Sequence, residues 1–581
     1  VIVFQNQKKG IPSFKNQKMI KSIENIDLTP KRGKEYWVNC HREWREEIIY
    51  FLMVDRFHDS NARHSKNFDI RHPGFGNEDQ LRKPFGGTLK GIINNIDYIK
   101  NLGCTAIWLS PVFENNPESY HGYAIQNYMD VDKRWGTKKD LEKLVDKAHG
   151  LDIRVFLDVV LHHSGDNWSY PFDYSYYYFK GERFPLGDWR EKDRPIPLEL
   201  RNPEMYNRKG QIKNFDAYPE TQEGDFFTLK TFRNDGSPAS EDLQELLAKI
   251  HCYWIREVDV DGFRLDAVKH MKGQDTSRFC SRIREYAYSL GKRNFFLFGE
   301  IIGNDEMSNP YIGPKVLPED RNIYYGLDSI LDHPLHSVLA EVIKGNSSPN
   351  LLIRRYEELR KNALHRGEYG EFLVTYIDDH DQVGMDFKHR FGHNAAPEQI
   401  VAGMGVLICA LGAPCIYYGT EQGFEGNGTD DRYIREGMFN PDDKETNVLN
   451  QRSWLFKRIS VLAHLRQREA ILKFGRMYFR ETSENGLDFR FPDCEQCLLA
   501  FSRILYQGEI LVVYNSSPKN TKEGYVTIDN AINKENLLME CIYGNKKKVK
   551  IEKNTALETD RLFIKVKLRP MEFLIFKNNW V

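Results

Sequence analysis

Residues 90–103 read KGIINNIDYIKNLG, and residues 104–113 read CTAIWLSPVF. The first stretch repeats apolar residues at helical spacing and ends on Gly103, a residue suited to a helix C-cap. The second is an apolar run of strand length. The same alternation extends in both directions. Upstream, IIYFLMVDRF (48–57) ends in charge and reads as a buried strand. Downstream, GTKKDLEKLVDKAHG (136–150) reads as a helix with Thr137 as N-cap and Gly150 as its stop. DIRVFLDVVLHH (152–163) is then a third strand. Strand, helix, strand, helix, strand is the parallel α/β pattern. Strands apolar along their whole length are what a sheet covered on both faces requires.

Further candidate strands follow: DVDGFRLDA (259–267), NFFLFGEI (294–301), a shorter one within 326–335, EFLVTYIDDHD (371–381) and VLICALGAPCIYYG (406–419). Eight strands separated by helices such as EDLQELLAKIHCYWIREV (241–258) predict a closed (β/α)8 TIM barrel. Residues 164–240 are too long for a structureless loop and predict an inserted domain after the third strand. Beyond about residue 475 the pattern changes to short strands with polar turns, which predicts a C-terminal antiparallel β-sandwich domain. The expected organisation is an N-terminal extension (1–45), a barrel in two parts (46–163 and 241–474), the insertion (164–240) and the β-domain (475–581).

Bulk properties narrow the function. The 581 residues carry 82 basic and 83 acidic side chains, so no basic surface points to nucleic acid. No apolar run reaches membrane-spanning length. Aromatics make up 13%, and any exposed rings would suit stacking on flat ligand faces. The nine cysteines, at 40, 104, 252, 280, 409, 415, 494, 497 and 541, are odd in number and scattered, so they are not a disulfide framework. They lean towards a reducing, cytoplasmic compartment and leave secreted or periplasmic placement open. The lone CxxC at Cys494 and Cys497 has no second pair and is not read as a zinc or redox site.

The chemistry gathers at strand ends. The third strand ends Asp158–His163, the fourth Arg264–Asp266, the fifth Glu300 and the seventh His380–Asp381. In a barrel these C-terminal ends converge, which would put four carboxylates at one cavity. A lone Asp at a strand end is usually a turn or helix cap, but repeated apolar strands ending in this set ask for another reason. Glycoside hydrolysis needs one carboxylate to attack or activate water and another to protonate the leaving oxygen. Crowded carboxylates push their pKa values apart, so one stays protonated. Arg264, two residues before Asp266, can point the same way along a strand and orient it. His163 and His380 can donate to sugar hydroxyls. Magnesium or calcium on the same carboxylates is the rival reading, and Arg264 among them argues against it. No GxGxxG or GxxxxGK[ST] signals a nucleotide.

These motifs resemble the α-amylase family, glycoside hydrolase family 13. The first family motif stands here as DVVLHH (158–163), the second as GFRLDAVKH (262–270), the third as Glu300 in FLFGEI and the fourth as His380–Asp381 after YIDD. SYHGYAIQNY (119–128) and YYGTEQG (417–423) are also similar to family segments, and the region around GDFFTLKTF (224–232) resembles members acting on malto-oligosaccharides or cyclomaltodextrins. The resemblance implies Asp266 as nucleophile, Glu300 as general acid and then base, and Asp381 binding hydroxyls and favouring the distorted ring. It implies substrate contacts from Asp158, His163, His380 and a stacking Tyr123, support of Asp266 by Arg264, and His121, Lys269 and His270 nearby or on the leaving-group side. It also implies retention of configuration, with catalytic carboxyls about 5–5.5 Å apart.

The expected activity is a retaining α-glucoside hydrolase cleaving α-1,4 linkages in maltodextrins or starch-like, neutral α-glucans. A transglycosylase or isomerase acting on α-glucan or sucrose is the nearest alternative, and a non-catalytic carbohydrate-binding relative the remote one. The three carboxylates that such a relative would lack are all present. No cofactor is expected with certainty. His162 replaces the family's calcium-binding Asn, and His64, Ser65 and Thr88 replace oxygen ligands of a second calcium site seen in some relatives, although Asp59 and Asn61 match. Asp379, in place of the usual Asn before His380, is expected to add charge beside the site.

Overall fold

The computed structural model describes residues 20–38, 42–59, 71–172, 177–178, 183–313, 325–364, 367–544, 548–554 and 561–578. Eight parallel strands form its centre: Ile49–Leu52, Ala106–Leu109, Arg154–Val160, Gly262–Asp266, Phe296–Gly299, Ser329–Ile330, Val374–Tyr376 and Ala413–Tyr417. Neighbours in space are neighbours in sequence, the first strand pairs with the eighth, and a parallel bridge from Leu331 to Val374 joins the sixth to the seventh. The result is the expected (β/α)8 barrel.

Local chemistry fixes the helices between the strands. Helix Leu89–Leu102 starts at Thr88, whose side chain accepts the Gly91 N–H, and ends at Gly103 with φ +98°. Helix Lys138–Gly150 starts with a reciprocal Thr137–Asp140 capping box. Two apolar runs divide where the sequence reads as continuous. In 406–419, VLIC ends helix Pro397–Cys409, and the strand begins only after Gly412. Gly412 has φ +96°, and a Cβ there would lie 2.7 Å from Thr375 Cγ2. In 48–57 the strand stops at Leu52 and Val54–Phe57 is a helical turn. Hydrophobicity alone does not separate a buried helix end from a buried strand.

The N-terminal extension seals the barrel bottom. The Trp44 ring stacks 4.3 Å from Phe296, and the Arg154 guanidinium lies 4.0 Å from the same ring. The insertion packs directly against the barrel. Its described elements are single turns and a two-residue pairing of His163–Ser164 with Lys230–Thr231. Trp168, Leu200, Tyr206 and Phe232 belong to the barrel's own hydrophobic core. Nine C-terminal strands form one antiparallel sheet, and residues from Leu498 to Phe576 close a second core within it. No described helix is long and apolar enough to cross a membrane.

Candidate active site

Strand register brings the charged groups together. The third and fourth strands pair Asp158 with Arg264 and Val160 with Asp266, and the fourth and fifth pair Leu265 with Gly299. Asp266 and Glu300 therefore emerge side by side at adjacent strand ends. Above them opens a cavity of about 920 Å³, lined by Asp266, Glu300, Asp381, His121, Tyr123, His163, Lys269 and His270 among others.

Arg264 is the fully buried hub. Its Nη1 donates to Asp266 Oδ1 at 2.7 Å and to both oxygens of Asp158 at 3.0 and 3.1 Å. Its Nη2 lies 3.0 Å from Glu300 Oε2, a close ionic contact without hydrogen-bond alignment. Glu300 Oε2 also accepts the N–H of Ala267, held with φ +51° at the turn leaving the fourth strand. Burial pushes Asp266 up, to about 8; Arg264 opposes this and Glu300 adds to it. Burial raises Glu300 too, against Arg264 and with Asp381 adding. The two carboxyls thus form a pair that keeps a proton near neutrality. The aligned bond from Arg264 favours the charge on Asp266 and the proton on Glu300.

Asp381 has the opposite setting. Burial would raise it, but His380 and Arg435 hold it well below the ordinary carboxylate range. His380 Nε2 lies 3.2 Å from Asp381 Oδ2, and Arg435 Nη2 lies 2.5 Å from Oδ1. Arg435 Nε also donates to His380 O at 2.9 Å, which fixes the loop. Burial keeps three cavity histidines neutral, lowering His121 to about 3 and His163 and His270 to about 4.

Of the residues expected at the substrate, Asp158, Arg264 and His380 do not line the cavity, whereas Tyr123, Lys269 and His270 do. Asp158 is 1% exposed, with Oδ2 accepting from Trp108 Nε1 (3.1 Å) and Tyr123 Oη (2.8 Å) as well as from Arg264. It is a strut under the cavity floor, so three carboxylates face the cavity from these motifs rather than four. Arg264 and His380 are likewise buried beneath it. Tyr123 is held by Asp158 and by His380 Nε2 (3.1 Å), with its ring parallel to His380. Lys269 pairs with Asp216 of the insertion, and His270 Nδ1 meets Thr221 O at 2.6 Å. Asp379 adds no charge to the cavity lining: its Oδ1 accepts the N–H groups of Asp381 and Gln382 and caps their turn.

Sequence reasoning missed Arg435, Asp431, Lys388 and the Phe226–Phe227 pair, all of which line the cavity. Arg435 sits in a polar stretch, DDRYIREG, with no periodic signal. Phe227 is 74% exposed at φ +54°, an unusual setting for a large ring.

At the first calcium position implied by the resemblance an imidazole stands where an oxygen ligand would be needed. His162 is buried between His163 (Nδ1 to Nδ1, 3.3 Å) and the Phe226 ring (4.7 Å), and burial holds it neutral, far below the usual imidazole range. Thr88 is occupied as a helix cap. Asp59 pairs with Lys444, while Asn61, His64 and Ser65 lie outside the described residues. Among the described residues no group of three or more His, Cys, Asp or Glu is arranged to hold a metal.

Residues 51–473 match the family model for the α-amylase catalytic domain. The chain belongs to the α-amylase family. It is 28% identical over 452 residues to an α-amylase of Streptomyces lividans, covering 67% of this chain and 47% of that protein. It is 28% identical over 550 residues to a β/α-amylase of Paenibacillus polymyxa, covering 93% and 38%. It thus spans less than half the length of these two amylases. Its fold is similar to the crystal structure of an Anoxybacillus α-amylase, with TM-score 0.68 and 24% identity, covering 93% of this chain and 99% of that one.

Proposed function

We propose that this protein is a retaining α-glucoside hydrolase that cleaves α-1,4 linkages in maltodextrins or starch-like α-glucans. The observation that carries the reading is the joint hold of Arg264 on Asp266 and Glu300, with Asp381 at the same cavity. Asp266, whose ionised form is stabilised by an aligned guanidinium N–H, attacks the anomeric carbon. Glu300 gives its proton to the departing oxygen, then takes one from the incoming water. Asp381, ionised and fixed by His380 and Arg435, accepts hydrogen bonds from ring hydroxyls and favours the positively charged, flattened transition state. Tyr123 offers its ring as a stacking face for the sugar in this subsite.

The relatives support the substrate class, since those described above are α-amylases by name. Phe215, Phe226 and Phe227 line the side of the cavity built by the insertion and suit the apolar faces of further glucose units. The test is a product time course on maltoheptaose, β-cyclodextrin, soluble starch, pullulan and sucrose. Shorter maltosaccharides with a matching gain in reducing ends are expected. Products longer than the substrate, or new linkages without reducing-end gain, would replace hydrolysis with transfer or isomerisation.

A further inference from the structure

Behind the cavity wall on the insertion side sits a buried cation of the chain itself, Lys230. Where the insertion returns to the barrel, Ser164 pairs with Lys230 and His163 with Thr231. The Lys230 side chain is 7% exposed. Its Nζ lies 3.0 Å from Asp166 Oδ1 and donates to Thr228 O at 2.8 Å. It also lies 5.2 Å from the centre of the Trp168 ring and 5.6 Å from that of Tyr170. Asp225 is buried a few residues away, accepting from Tyr170 Oη (2.7 Å) and the Thr231 N–H (2.8 Å). The fold therefore brings two carboxylates and a carbonyl oxygen into one largely dry corner, an arrangement that needs positive charge.

A divalent ion is one source of such charge; here the chain supplies it, from Lys230 on the buried side and from the half-exposed Arg190, whose Nη2 lies 2.8 Å from Asp166 Oδ2, on the outer side. Close by, Asn234 Nδ2 donates to Gln222 O at 2.6 Å and to His270 O at 3.4 Å, tying the insertion to the motif after the fourth strand. An ammonium on its own backbone tether has no binding equilibrium to satisfy, so its hold is independent of metal concentration.

We propose that the buried Lys230 ammonium is a positioning residue for the cavity, a built-in cation that clamps the wall Phe226–Thr228 to Asp166 without the help of a metal ion. The consequence is directional. Lys230 touches no reacting atom; it closes the loop that carries Phe226 and Phe227, which with Asp166 and Thr228 line the cavity. Losing it loosens sugar binding along that wall and leaves the carboxyl chemistry at Asp266 and Glu300 in place. The kinetic part of this statement rests on the glucan-hydrolase reading; the thermal part stands without it.

The experiment compares the wild-type chain with Lys230→Met and Lys230→Arg. Thermal unfolding is followed with a chelator, with millimolar calcium chloride and with neither, and kcat and KM are measured on maltoheptaose. Wild-type unfolding is expected to be indifferent to both additions. Lys230→Met is expected to unfold at lower temperature and to raise KM about tenfold while kcat stays within about threefold, the size of one lost charge-assisted contact. Lys230→Arg is expected to restore most of both. A wild-type midpoint raised by calcium or lowered by chelator would overturn the proposal, because a metal would then hold the corner. So would wild-type unfolding and KM in Lys230→Met, or equal losses in both variants. If Lys230→Met does not fold, the wild-type additions and Lys230→Arg decide. If the wild type cleaves no glucan, the hydrolase reading fails and the unfolding data still test the clamp.

Discussion

Arg264 and Asp266 stand two residues apart on one strand and point into the same space, with Nη1 donating to Oδ1 at 2.7 Å. The same nitrogen holds Asp158 on the neighbouring strand. Removing the guanidinium leaves both carboxylates buried without their counter-charge. Arg264→Ala is expected to lose about 3–5 kcal/mol of unfolding free energy, the usual cost of breaking a buried ion pair from one side. Denaturant melts measure it. A loss below about 1 kcal/mol would mean that Arg264 is no hub.

Glu300→Gln removes the transferable proton and keeps the shape. Activity on maltosaccharides is expected to fall by about 10²–10⁴-fold, the range of general acid–base catalysis. Aryl glucosides with acidic leaving groups need less protonation, so they should lose less in the step that releases the leaving group. Equal losses in that step for both substrate types would argue against the acid role.

The carboxyl settings predict a pH profile. The Asp266–Glu300 pair is raised, with Asp266 at about 8. Removing its shared proton should bring kcat/KM down on an alkaline limb near that value. Between the ordinary carboxylate range and about 8 the folded state binds this proton and the unfolded chain does not. The pair therefore stabilises the fold less and less as pH rises through that window. Asp381 is held low, so its contribution is present above the ordinary carboxylate range and lost as pH falls below it. Rate profiles and unfolding free energies from about pH 4 to about 10 test both signs.

Arg435→Met should release Asp381 from one of its two cations. Its pKa is expected to rise, moving the acid limb of kcat/KM upward, and kcat/KM at the optimum should drop about 10-fold or more, as when a charge-assisted contact is lost. An unmoved acid limb would leave His380 as the sole partner of consequence.

The legible part of this site was the part written on strands. Asp266, Glu300 and Asp381 end apolar runs, so their convergence follows once eight such runs close. Asp158 looked equivalent to them. Its depth depends on Arg264, Trp108 and Tyr123, which come from two other strands and a loop, and no local pattern records that. Asp379 adds its charge beside the site, acting on His380, but its carboxylate turns back onto the N–H groups of Asp381 and Gln382 and stays out of the cavity lining. Arg435 and Phe227 lie in irregular segments, where position is set by contacts far along the chain.

The sequence by itself determined the barrel, its interruption after the third strand, the change to antiparallel strands near residue 475 and the strand ends that bring Asp266, Glu300 and Asp381 to one cavity. Those features follow from periodicity, capping residues and local motifs, which act within a few residues. The tertiary structure alone decided how Arg264 joins the two carboxyls Asp266 and Glu300, which side chains form the floor and which the wall, and how the insertion is held. Each of these depends on burial and on charges brought together from distant positions, because solvent exclusion and Coulomb interactions act through space and not along the chain.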